Sequence, residues 1–121
     1  MAKTVLIVDD STSIRQMLGF TLRQAGFTVV EGANGQEGLT HLAAQRVDLV
    51  ITDLNMPVMD GITMIRNLRA KPAHKGLPVL MLTTESQDSK KQEGKAAGAT
   101  GWIVKPFQPD KLLQTIGRVL P

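Results

Sequence analysis

The sequence predicts an α/β domain: a doubly wound, five-stranded parallel sheet with helices on both faces. Three observations carry that reading. Short apolar runs alternate with segments of helical period five times along the 121 residues. The connections are short, which favours right-handed crossovers between parallel strands. The apolar runs also stop abruptly at polar or charged residues: Val5 to Val8 at Asp9-Asp10, Leu49 to Ile51 at Thr52-Asp53, Val79 to Leu82 at Thr83-Thr84, and Trp102 to Val104 at Lys105-Pro106.

In chain order, Val5-Leu6-Ile7-Val8 reads as a strand buried on both faces. Ser11 or Thr12 caps the helix that follows, whose stripe is Ile14, Met17, Leu18, Leu22 and Ala25, with Gly26 as its stop. Phe27 to Glu31 is a more polar strand, as an edge strand would be. Asn34 and Glu37 form a capping box for a helix burying Leu39, Leu42 and Ala43. The central strand ends at Asp53, and Pro57 and Gly61 mark the loop after it. Asp60 caps a third helix carrying Ile62, Ile65 and Leu68, and Pro72 ends that region. The fourth helix, Gln87 to Ala97, is nearly all polar and should be the most weakly held. Pro109 opens a fifth, with a strong stripe of Leu112, Leu113, Ile116, Val119 and Leu120. Residues 1–121 thus read as one domain, without repeat or linker.

Composition removes several classes of function. With no cysteine there is neither a disulfide nor a thiolate metal site. The first apolar run is four residues long before two acids interrupt it, too short for a signal-peptide core or a membrane span. A soluble, cytoplasmic chain is the expectation. Net charge is +3, but the basic residues are dispersed and aromatics make up 3%, so nucleic-acid binding is not expected.

Ligands of open parallel sheets bind outside the carboxyl ends of the strands. If the strands here are neighbours, Asp9, Asp10 and Asp53 meet there with Thr83 and Lys105. The acids favour an order that brings the first and third strands together. Crowded carboxylates repel unless a cation joins them. Oxygen donors without His or Cys suit Mg²⁺. An aspartate beside Mg²⁺, a lysine and a hydroxyl is the equipment of a phosphoryl acceptor. Ordinary roles exist for each residue: Asp10 as a helix cap, Lys105 as a surface lysine, Thr83 as a strand end. Coincidence at four strand ends favours the joint site. His41 and His74 are isolated and read as surface residues, and the glycines from Gly32 to Gly38 as turn and helix positions, not a phosphate loop.

Taken together, these motifs resemble the receiver domain of bacterial response regulators, of the single-domain chemotaxis (CheY-like) type, over essentially the whole chain. Asp9-Asp10 is similar to the acidic pair, Asp53 to the phosphorylated aspartate, Thr83 to the switch hydroxyl and Lys105 to the lysine of that family. Asn55-Met56-Pro57, Met59-Asp60-Gly61 and Lys105-Pro106-Phe107 match its loop motifs, and the Lys-Pro bond is usually cis. The resemblance implies a flavodoxin-like strand order, 2-1-3-4-5. It implies a switch, not a turnover enzyme, phosphorylated by a histidine kinase. Mg²⁺ would be held by Asp10, Asp53 and the main-chain carbonyl of Asn55, with Asp9 acting through a water. Trp102 occupies the aromatic switch position, where Tyr or Phe is usual, and Leu54 stands where the chemotaxis type often has an aromatic. Asn55 and Glu85 match the two positions that tune hydrolysis. The implied output is a protein target at the face of the fourth helix, fifth strand and fifth helix. A flagellar motor switch comes first; a phosphate sink or relay is the alternative. A monomer is expected, or a dimer on phosphorylation. A phosphatase of the haloacid dehalogenase type would want Asp where Asn55 stands, and a flavin or nucleotide phosphate would be repelled by the acids.

Overall fold

The computed structural model describes residues 2–84 and 86–120. Five parallel strands, β1 (Thr4–Val8), β2 (Thr28–Gly32), β3 (Leu49–Asp53), β4 (Val79–Thr83) and β5 (Gly101–Val104), lie in the order β2-β1-β3-β4-β5. Between and after them come α1 (Thr12–Gln24), α2 (Gly35–Ala44), α3 (Gly61–Arg69), a 3-10 turn (Pro72–His74), α4 (Asp88–Ala97) and α5 (Pro109–Val119). The expected class and strand order are both met, and β2 is indeed an edge. No described helix is long and apolar enough to cross a membrane.

The strands alternate their side chains between two cores. Val5, Ile7, Leu49, Ile51, Leu80 and Leu82 face Leu18 and Leu22 of α1 and Leu112 and Ile116 of α5. Leu6, Val8, Val50, Val79 and Met81 face Leu42 of α2 and Met64, Ile65 and Leu68 of α3. Each such side chain contributes about 1.5–3 kcal/mol. The sheet is therefore anchored on both sides, and its strand ends form a fixed platform.

The caps follow the sequence closely. Ser11 Oγ accepts the Ile14 N–H at 3.3 Å, so Ser11 and not Asp10 or Thr12 opens α1. Gly26 has φ +95°, the left-handed stop after α1. Asn34 accepts the Glu37 N–H, while Glu37 reaches the Ala33 N–H, one residue before the cap. Asp60 accepts the Thr63 N–H at 2.7 Å.

Several expectations are corrected. Met17 is 53% exposed and Ala25 is exposed, so α1 buries a narrower stripe of Ile14, Leu18 and Leu22. Ala43 is exposed as well, because α2 turns Leu39 and Leu42 to the sheet. His74 is half-buried, not solvated, with a buried Nδ1 that has no partner among the described residues. Its carbonyl accepts from Arg69 Nη1 at 2.6 Å, which ties the 3-10 turn to α3. In α4 Gly94 is the one fully buried residue, as its polar sequence foretold.

Candidate functional site

The site lies where β1, β3, β4 and β5 end side by side. Parallel register aligns Val8 with Thr52 and Asp53 with Leu82, so the residues after β1 stand beside the end of β3. Carboxylate oxygens of Asp9, Asp10 and Asp53 come within 4.8 Å of one another. Lys105 Nζ sits 3.5 Å from Asp9 Oδ2 and 3.3 Å from Asp53 Oδ1. Both contacts are long for charge-assisted hydrogen bonds, so one ammonium is stretched between two acids. The Leu54 N–H donates to Asp53 Oδ1 at 2.8 Å, and the Ser11 N–H to Asp9 Oδ1 at 2.8 Å.

Three carboxylates against one ammonium leave net negative charge in a partly desolvated pocket, and every donor in it is an oxygen. That donor set fits a hard divalent cation such as Mg²⁺. Asp9 is 1% exposed, and burial pushes its carboxyl above the ordinary 3.8; the Ser11 N–H opposes this, the Asp53 charge reinforces it and Lys105 opposes it again. An acid whose folded value is raised stabilises the fold when protonated, and that contribution is lost as pH rises through the folded value. In the metal-free chain the contribution of Asp9 to stability should therefore grow as pH falls toward 3.8. Asp9→Asn, which keeps an acceptor for Ser11, should be more stable than the native chain at neutral pH and flatter across that window. Thermal melts in EDTA across acidic to neutral pH would show it; parallel curves for the two proteins would contradict the assignment.

Thr83 is fully buried at the end of β4, and its hydroxyl has no partner among the described residues. The Lys105 N–H donates to the Thr83 carbonyl at 2.6 Å, which links the two strand ends. Asn55 is exposed, two residues beyond Asp53. Glu85 lies outside the described residues. Trp102 is 39% exposed and faces outward beneath two ammonium groups, Lys91 at 5.5 Å and Lys95 at 5.7 Å from its ring centroid. The Lys105-Pro106 bond is cis.

The loop from β3 to α3 is held rigidly. Val58 has φ +69°, and the Met59 N–H donates to the Pro57 carbonyl at 2.7 Å across it, closing a γ-turn. The Met59 carbonyl accepts the Gly35 N–H at 2.9 Å. A Cβ on Gly61 would collide with the Asp53 carbonyl oxygen, so α3 begins directly against the acid-bearing strand.

Sequence reasoning missed the two lysines over Trp102 and also Arg15, whose Nη1 donates to the Asp9 carbonyl at 2.6 Å. The spacing of Lys91 and Lys95, one helical turn apart, was the available signal for the first. Arg15 gave none, since its partner at the site is a backbone atom.

Fold and site together define a flavodoxin-like domain with an acidic sheet edge whose oxygen donors suit a hard cation. The response regulator receiver domain matches residues 5–117, and the chain belongs to that family. It is a CheY-like receiver domain of a two-component response regulator, and such domains are signalling switches, not turnover enzymes. The chemotaxis protein CheY of Pseudomonas aeruginosa is 39% identical over 116 residues, covering 95% of this chain and 94% of that protein. The structure of the chemotaxis response regulator CheY4 of Vibrio cholerae superposes with a TM-score of 0.94 at 52% identity, over 99% of this chain and 100% of that one. The receiver domain of the sensor histidine kinase PA1611 of Pseudomonas aeruginosa, with a magnesium ion coordinated in its active site cleft, has a TM-score of 0.92 at 25% identity, over 99% and 98%. The chain spans about half the length of the transcriptional regulatory proteins that it also matches.

Proposed function

We propose that residues 1–121 form one receiver domain that takes a phosphoryl group from a histidine kinase onto Asp53 and thereby switches a protein-binding face. The convergence of Asp9, Asp10, Asp53 and Lys105 at one sheet edge carries this reading. An Asp53 carboxylate oxygen attacks phosphorus. The new O–P bond forms as the N–P bond of the phosphohistidine breaks, and the departing imidazole nitrogen keeps the electron pair and takes up a proton. Asp10, Asp53 and the main-chain carbonyl of Asn55 would hold Mg²⁺, with Asp9 acting through a water. When bound, the ion supplies positive charge against the phosphoryl oxygens. Lys105 adds a second positive charge and exchanges its stretched carboxylate contacts for a phosphoryl oxygen. Thr83, whose hydroxyl has no partner among the described residues, donates to another. Asn55 and Glu85 tune how fast water removes the group.

The output is the α4-β5-α5 face, where a groove of about 400 Å³ runs from Trp102 past Val104 and Pro106 to Lys111. A flagellar motor switch is the first partner this predicts, with a phosphate sink or relay as the alternative. Incubation with acetyl phosphate should add one phosphoryl mass to the intact chain with Mg²⁺ and none with EDTA. A chain that gains no mass with Mg²⁺ present would refute the reading.

The same switch should be visible at Trp102. Thr83 moving toward a phosphoryl oxygen gains a charge-assisted hydrogen bond of about 1.5–3 kcal/mol and vacates space that an aromatic ring fills. The bulk of the indole and the two ammonium groups over it resist the inward swing. Beryllofluoride with Mg²⁺ is expected to shift Trp102 emission and reduce its quenching by acrylamide, and Thr83→Ala to blunt both changes. Identical spectra with and without beryllofluoride would show that the ring does not take part.

A further inference from the structure

We infer that Arg15, oriented by Glu31, is a positioning residue for the metal-binding acid pair, an inference that rests on the function proposed above. The Asp9–Asp10 peptide must be aimed with care, because both carboxylates serve one ion while the chain turns from β1 into α1. On its strand side, Asp9 is fixed by its own N–H, which donates to the Gly32 carbonyl of β2 at 3.1 Å. On the other side its carbonyl accepts from Arg15 Nη1 at 2.6 Å. That carbonyl belongs to the same planar peptide as the Asp10 N–H, so holding it fixes the direction in which Asp10 leaves the strand. Asp10 is exposed, so its aim is inherited from this backbone.

The guanidinium is itself held by two further contacts and by burial. Its Nε lies 3.3 Å from Glu31 Oε1, its Nη2 reaches Thr12 Oγ1 at 3.4 Å, and its side chain is 17% exposed. Glu31 is paired with Ile7 in the sheet, two residues before Asp9. The acid pair is thus braced by the first turn of α1 and the edge strand at once. A planar fork can serve these acceptors together; an ammonium cannot. Arg23 approaches the other oxygen of Glu31 at 3.5 Å, but it is 54% exposed and makes no contact with the acid pair. It serves as the control.

The test is calorimetric titration of Mg²⁺ into the metal-free full chain, well below its melting temperature. Groups that orient metal ligands typically alter affinity by about ten- to a hundredfold. Arg15→Gln is expected to weaken Mg²⁺ binding by about tenfold, with Glu31→Gln and Arg15→Lys intermediate and Arg23→Gln unchanged. At saturating Mg²⁺, phosphorylation of Arg15→Gln by acetyl phosphate should return close to the native rate, since the attacking carboxylate is untouched. A merely structural role would lower the melting temperature and leave the affinity of the folded chain as it is. Native Mg²⁺ affinity in a folded Arg15→Gln overturns the inference. Should that variant not fold, unchanged affinities in both Glu31→Gln and Arg15→Lys overturn it equally. A native chain that binds no Mg²⁺ would instead overturn the function on which the inference rests.

Discussion

Asp53→Asn is expected to abolish phosphorylation by acetyl phosphate while leaving the domain folded. The carboxylate is the proposed nucleophile, and an amide of the same shape has no charged oxygen to offer. Asp9 and Asp10 remain beside it, which makes the variant a sharp test of which acid attacks. Asp9 is buried with its carboxylate already committed to the Ser11 N–H and Lys105. Asp53 is partly exposed at the strand end. Folding should not suffer: Lys105 keeps Asp9 as a partner, and the Asp53 charge that raises the Asp9 carboxyl is removed. Intact-mass measurement after incubation with donor and Mg²⁺, beside a thermal melt, covers both halves. Undiminished labelling would move the acceptor to another residue.

Gly61→Ala should cost about 3 kcal/mol of stability and distort the site as well. The added Cβ would run into the Asp53 carbonyl oxygen, with the Asp53 carbonyl carbon at 3.1 Å and Leu54 Cα at 3.2 Å. All three are backbone atoms of the last residue of the acid-bearing strand and the one after it, so no side chain can swing aside. Relief requires α3 to move from Leu54, whose carbonyl accepts the Gly61 N–H at 3.0 Å, or β3 to shift with its aspartate. Urea unfolding should show a lower midpoint at an unchanged slope, and phosphorylation by acetyl phosphate should slow in the fraction that stays folded. A native midpoint would show that the helix can yield without strain.

Much of the site was legible because it depends on strand ends. In a parallel sheet every βα unit delivers the residues at its strand end to the same edge, so Asp9, Asp10, Asp53, Thr83 and Lys105 share that edge, and they meet once the strands are neighbours. The caps at Asn34 and Asp60 were legible for a similar reason: a short polar side chain and its own backbone decide them. What escaped depends on how helices dock. Whether Met17 points in or out is set by the rotation of α1 on the sheet, and a stripe of five apolar residues does not say which three are used. The ammonium groups over Trp102 require knowing where α4 lies against β5. Arg15 was invisible because its acceptor is a carbonyl, which every residue carries. The tightness at Gly61 follows from the approach of α3 to β3, which no spacing encodes.

The thin packing of α4 has a thermodynamic consequence. Gly94 is its one fully buried residue, seated where a Cβ would collide with the Met81 sulfur. Detaching this helix uncovers little apolar surface, so its opening should depend only weakly on denaturant. Native-state hydrogen exchange would then separate two regimes. Amides of α4 should exchange by local fluctuation at a rate that low urea hardly changes, whereas those of β3, covered on both faces, should exchange only by an opening that urea promotes steeply. A helix so uncoupled from global unfolding can be repositioned at small free-energy cost, without lowering the midpoint at which the whole domain melts.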